Sequence, residues 1–220
     1  MSYILNIETS TTNCSVAISK DEDVLSVVEE DSKKYSHAEQ LHLFIEKAIA
    51  DAGIIKQDLD AVAISKGPGS YTGLRIGVSS AKGLAYSLDI PLISVSTLAS
   101  LAAQAHDYDI VIPMIDARRM EVYTQTFEAN LEAKNDIEAK ILDETSFSEY
   151  QDGQKKVCFI GNGVQKFENI AQFKDHVFFI NANPGAREMA LFSSQKNKQQ
   201  LFEDVAYFEP FYLKDFVAGK

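Results

Sequence analysis

The sequence predicts an α/β protein of two related halves, each a mixed sheet flanked by helices, with the second half reduced. Three observations carry this prediction. The first third opens with three apolar, strand-like runs joined by short polar turns, the pattern of an antiparallel meander. Strand–helix alternation follows, which adds parallel strands to a sheet. Beyond residue 107 a weaker copy of the same order begins. The length agrees, because 220 residues hold one large domain or two small ones.

YILNIET (3–9), CSVAIS (14–19) and VLSVVEED (24–31) are the three meander strands, with Thr11-Thr12-Asn13 and Lys20–Asp23 as turns. In HAEQLHLFIEKAIADAG, Leu41, Phe44, Ile45, Ala48 and Ile49 share one helical face, and Gly53 can close that helix. AVAIS (61–65) is a continuous apolar strand. A helix over 71–88, a strand over 91–95 and a second helix from Ser96 complete the first half. In the second half, 110–117 and 121–129 form a hairpin around Arg118-Arg119. KVCFIGNG (157–163) and VFFINAN (177–183) supply two further strands, and 130–156 is polar and poorly patterned. The domains expected are 1–107 and 108–220, with the C-terminal segment free to pack back on the first.

Charge narrows the function. The formal net charge is −11, and no basic run exceeds pairs such as Arg118-Arg119. A chain that grips nucleic acid by itself needs clustered Lys and Arg, so tight direct RNA binding is not expected. Cys14 and Cys158 lie in apolar strands without a ligand partner at metal spacing, as buried free thiols do. No basic leader or membrane-length apolar run is visible, so a cytoplasmic protein is expected.

The most distinctive stretch is SKGPGSYTGLRIGVSSAKG (65–83). A P-loop needs a Lys after its last glycine, and Leu74 and Arg75 stand there. A dinucleotide fingerprint fails at Thr72. Gly69, Gly73, Gly77, Ala81 and Ala85 form a stripe without bulk at four-residue spacing. Glycine inside a helix costs about 1 kcal/mol against alanine, so close approach of another element is the natural reason. That element is either inside the chain or on a second one. Leu74, Val78, Leu84 and Leu88 already give the helix an apolar face, which favours the second chain. His37 and His42 are five apart and suit a surface or cap better than a metal. Glu8 and Asp116 end comparable strands in the two halves. They suit a metal–nucleotide or the capping of turns.

With these residues in hand, ETS (8–10), KGPGSYTGLRIGVSSAKGLA (66–85), STLASLA (96–102), DARRMEVY (116–123), GNG (161–163) and PFYLK (210–214) fall in the order of one family. The chain resembles the TsaB (YeaZ) family over nearly its whole length. The resemblance implies two ribonuclease-H-like lobes of the actin/sugar-kinase type. It implies a non-catalytic scaffold or activating subunit that binds the catalytic subunit TsaD. Their joint task is threonylcarbamoylation of the adenosine next to the anticodon in ANN-decoding tRNAs. TsaD carries a His-x-x-x-His metal pair where this chain has Ser96–Ser100, so no such site is expected here. ATP and metal are expected on partner subunits, including a TsaE-type ATPase, with no cofactor on this chain alone. The family's first two helices pack against TsaD, or against a second copy when TsaD is absent. Carried onto this sequence, the interface is Leu41, Ile45, Tyr71, Gly73, Leu74, Gly77, Ser80, Ala81 and Leu84. Glu8, Thr9, Ser10, Asp116, Gly161 and Gly163 are the candidates for a degenerate nucleotide cleft. The alternative is a nucleotide-binding or glycoprotease-like enzyme of the same superfamily.

Overall fold

In the computed structural model, which describes residues 1–31, 37–151, 153–173 and 175–214, two compact units share the chain. The first holds Met1–Ser100 together with Pro184–Tyr212, and the second holds Leu101–Asn183 with the chain end from Leu213. The division therefore falls at 100/101, seven residues before the expected boundary, and a long C-terminal stretch belongs to the first unit. Residues 215–220 of the expected second domain lie outside the described residues.

In the first unit, β1 (Tyr3–Glu8), β2 (Asn13–Lys20) and β3 (Asp23–Asp31) form the antiparallel meander. β4 (Ala61–Ser65) joins β1 in parallel, and β5 (Leu92–Val95) joins β4 in parallel. The sheet order is β3-β2-β1-β4-β5. Alternation sorts the side chains by face. Leu5, Ile7, Val16, Ile18, Val62 and Ile64 pack under α1 (His37–Asp51) and α2 (Tyr71–Leu88). Ile4, Ala17, Ala61, Ala63 and Ile93 pack on the other side with Ala186 and Met189, at and before the start of α5 (Met189–Lys198). Buried Asn6 ties these layers together. Its amide donates to Ser19 Oγ at 3.1 Å and accepts from Ser193 Oγ at 2.7 Å.

The helix ends follow from local chemistry. Gly53 stops α1 in the left-handed region at φ 70, and Ile54 N donates to Ile49 O while Gly53 N donates to Ala50 O. These are the paired bonds that satisfy the last carbonyls of a helix. Ser70 caps α2 by accepting from Gly73 N at 3.3 Å.

The second unit repeats the order of the first. β6 (Ile110–Asp116), β7 (Glu121–Thr124) and β9 (Glu138–Ile141) are antiparallel neighbours, with the short β8 (Phe127–Glu128) beside β6. β10 (Val157–Ile160) and β11 (Val177–Ile180) extend from β6 in parallel, giving β11-β10-β6-β7-β9. Both units thus share one topology, that of the ribonuclease-H-like lobe. The reduction is in the helices. A short 3-10 turn at Ser148–Tyr150 stands where the first unit has α1, and α4 (Val164–Glu168) has five residues where α2 has eighteen. Aromatic packing fills the gap: Phe147, Phe159, Phe167, Phe173 and Phe179 form one cluster with ring centroids 5.0–6.3 Å apart.

Candidate functional site

The glycine block closes on the turn between β1 and β2. A Cβ at Gly69 would stand 2.5 Å from Ser10 O, and one at Gly73 only 2.1 Å from Thr9 O. At Gly77 it would meet Thr9 Oγ1 at 2.2 Å and Ile64 Cδ1 at 2.9 Å. Only glycine allows α2 to approach this closely. Polar bonds seal the contact: Thr9 Oγ1 donates to Gly73 O at 2.8 Å and Ser70 N donates to Ser10 O at 2.6 Å. The stripe expected to face another chain is therefore packed inside this one.

Glu8 lies wholly buried in the same turn, accepting from Ser10 N at 2.6 Å. Burial pushes its carboxyl above the ordinary range, against hydrogen bonds from Ser10, Ser65 and Thr9 that pull it down. Thr9 and Ser10 are equally buried. Glu8, Thr9 and Ser10 thus lie between the sheet and the start of α2.

Beside the turn, hydroxyls occupy the stretch from Ser96 to Ser100 that follows β5. Thr97 Oγ1 is 2.6 Å from Ser65 Oγ and accepts from Gly67 N at 3.1 Å, while Ser100 Oγ donates to Thr97 O. Among the described residues no group of three or more His, Cys, Asp or Glu side chains is placed to hold a metal. His37, expected at the surface or as a cap, is the first residue of α1 and is buried, with Nε2 2.8 Å from Thr11 O, so it ties the helix start to the turn. Cys14 and Cys158 are buried free thiols as expected, pushed up by burial to about 11 and about 12.

The second unit carries the counterpart turn. Gly161 follows β10 at φ 137 as Gly67 follows β4 at φ 107, and both precede a helix. Gly161 and Gly163 pack against Met114 O. Asp116 is exposed, unlike Glu8, and accepts from Arg118 N at 2.6 Å and Lys166 Nζ at 2.7 Å. Its carboxylate holds the hairpin turn and α4 together.

Six of the nine expected interface residues are buried within the chain: Leu41, Ile45, Gly73, Leu74, Gly77 and Ala81. In the chain alone these side chains and glycines pack on the sheet and the β1–β2 turn. Tyr71, Ser80 and Leu84 are half-buried. Tyr71 sits between Arg75, 4.1 Å from its ring centre, and Tyr212, whose ring is 4.9 Å away. Leu41 and Ser80 also border the outward side of the helix pair. His37, Ala38, Leu41, His42, Arg75, Ile76, Ser79 and Ser80 line a groove of about 350 Å³ between α1 and α2. Leu43 is 63% exposed on α1, and Gly83 is exposed on α2 with no atom within 4 Å of its missing Cβ. Helical spacing could have found this face at Ile76, Ser79 and Gly83, but the heavier Gly69–Gly77 series masked it.

The family profile described as TsaD, tRNA N6-adenosine threonylcarbamoyltransferase, matches residues 27–219. The tRNA threonylcarbamoyladenosine biosynthesis protein TsaB of Bacillus subtilis is 30% identical over 96% of this chain and 93% of its own. The chain belongs to the TsaB family. The Buchnera aphidicola TsaB from Acyrthosiphon pisum is 32% identical over 90% of this chain and 92% of its own. YeaZ from Pseudomonas aeruginosa superposes with a TM-score of 0.84 at 26% identity, covering 97% of this chain and all of that one. The TsaB family works in tRNA threonylcarbamoyladenosine biosynthesis, and this chain's glycine block and repeated lobes are its version of that fold. Among the described residues no helix is long and apolar enough to cross a membrane.

Proposed function

We propose that this TsaB-family chain is a non-catalytic subunit that docks on a TsaD-type catalytic subunit through the outward groove of α1 and α2. Gly83 carries the reading. A glycine inside a helix costs about 1 kcal/mol, and nothing in its own chain approaches the open Cβ position. A facing helix supplies the reason. The sealed β1–β2 turn and the hydroxyl network at Thr97 support a subunit that leaves ATP and metal to its partners. The net charge of −11 supports leaving the tRNA phosphates to them as well.

The test is size-exclusion chromatography with mass measurement of the chain alone and with its cognate TsaD-type subunit. A heteromeric complex is expected, with self-association through the same face when the partner is absent. Gly83→Leu should prevent complex formation while melting no lower than the wild type. An unchanged complex with Gly83→Leu, or no complex at all, rejects the reading. Phosphotransfer or proteolysis by the purified chain alone would favour the enzyme alternative.

A further inference from the structure

At the groove, one arginine is held in place yet has no counter-ion. Arg75 lies on α2 and lines the groove with His42 and Ser79. Its guanidinium carbon stands 4.1 Å from the ring centre of Tyr71, one turn earlier on the helix. Its Nε donates to the Tyr212 hydroxyl at 3.2 Å. Tyr212 is delivered by the returning C-terminal segment. Phe211 N donates to Lys66 O at 2.7 Å, and Phe211 O lies 2.8 Å from the point where Gly67 would carry a Cβ. The glycine block and the C-terminal segment therefore meet to build the seat of this side chain.

What the seated guanidinium lacks is an anion. Fixing a long side chain gives up rotamer freedom, and an exposed cation–π contact returns little. The chain carries 32 Asp and Glu against 21 Lys and Arg. Even so, among the described residues Arg75 makes no ion pair. Glu209 is the one carboxylate whose charge acts on it, from beyond ion-pair distance. No Asp or Glu lines the groove, whose titratable lining is His37, His42 and Arg75. Of the guanidinium donors only the Nε one is engaged among the described residues. The two terminal NH2 groups are left, and such a pair grips a carboxylate in two parallel bonds.

We propose that Arg75, braced by Tyr71 and Tyr212 as positioning residues, takes a carboxylate of the docked subunit in a two-pronged ion pair. This rests on the docking reading above and adds the chemistry of the occupant, an acidic side chain on the facing helix. A phosphate fits the same fork. However, a net charge of −11 repels an approaching RNA, and one clamped cation is not the basic track that RNA binding needs.

The experiment measures affinity for the cognate TsaD-type subunit by calorimetry at about 50 and about 500 mM NaCl, a span over which the screening length shortens about threefold. Wild-type affinity should fall with salt. Arg75→Gln should bind about tenfold or more weaker at low salt and lose most of that salt dependence. Arg75→Lys should keep the salt dependence without recovering the affinity, because an ammonium cannot grip both oxygens. Tyr212→Phe, which releases Nε, should weaken binding less than Arg75→Gln and keep the salt dependence. Arg75 is exposed, so both of its variants should melt like the wild type. If Arg75→Gln melts lower, Arg75→Lys, which keeps a cation beside Tyr71, decides alone. Wild-type affinity in Arg75→Gln, or full recovery in Arg75→Lys, overturns this inference while the docking reading stands. Unchanged partner affinity with weaker tRNA retention by the assembled complex assigns the fork to a phosphate and overturns it equally. Absence of any wild-type complex rejects the docking reading, and this inference with it.

Discussion

At the scale of single residues, space and solvation decide what each position tolerates. Gly73 and Gly77 have oxygen atoms of Thr9 at 2.1 and 2.2 Å from where a Cβ would stand. Gly73→Ala must push α2 off the β1–β2 turn, so we expect a loss of about 3 kcal/mol or more, read as a fall in denaturation midpoint. Gly77→Leu should fail to give a folded chain, and a variant melting like the wild type would contradict the internal packing. Glu8 tests solvation. Its proton is held more tightly in the folded chain than in the unfolded one, whose carboxyl titrates near 4.5. Stability from this group is fully present below that value and is lost as pH rises toward the higher folded value. Glu8→Gln removes the loss, so its advantage in melting temperature over wild type should be absent at pH 4 and grow toward pH 7. An advantage independent of pH would show that Glu8 is ionised in the fold. Cys14 and Cys158, buried and raised to about 11 and about 12, should be inert to Ellman's reagent at pH 8 until denaturant exposes them.

At the scale of elements, α2 presents two faces of small residues, and the chain uses them differently. The inward series Gly73–Gly77–Ala81–Ala85 lies on the sheet and turn. In the outward series Ile76 and Ser79 line the groove, and exposed Gly83 follows one turn on. Because Gly83 has open space around it, Gly83→Ala should stabilise the isolated chain by about 0.4–1 kcal/mol, measured by chemical denaturation without partner. Destabilisation would mean that the helix is already covered there. Periodicity found α1 and α2 but not which small stripe faced inward, since both repeat at helical spacing. It missed α5 for another reason. That helix buries Met189 and Ala190 beside Ser193 and Ser194, so no apolar stripe marks its inner side. The two serines are buried because one of them, Ser193, meets Asn6 on β1. β9 escaped notice because Glu138 and Lys140 alternate with only small or exposed neighbours on an edge strand.

At the scale of the whole molecule, the chain crosses its own domain boundary. β1, β4 and β5 turn Ile4, Ala61, Ala63 and Ile93 toward residues that arrive only after 183. Glu203 then pairs with β5 through Leu92 and Ser94, and Lys82 on α2 holds the carbonyls of Ala206 and Phe208. A piece ending at residue 107 should therefore be unfolded, whereas 1–100 joined by a flexible linker to 184–212 should melt cooperatively. A cooperative transition in the shorter piece would show that the returning segment is dispensable. The sequence by itself determined the strand–helix order, the two related halves and the family, because alternation, helical period and a glycine block are local patterns that survive without a partner element. Only the tertiary structure decided that the glycine stripe serves the β1–β2 turn, that His37 is interior, and that 184–212 completes the first unit. Those outcomes depend on which distant backbone comes within about 3 Å, and no spacing along the chain encodes that distance.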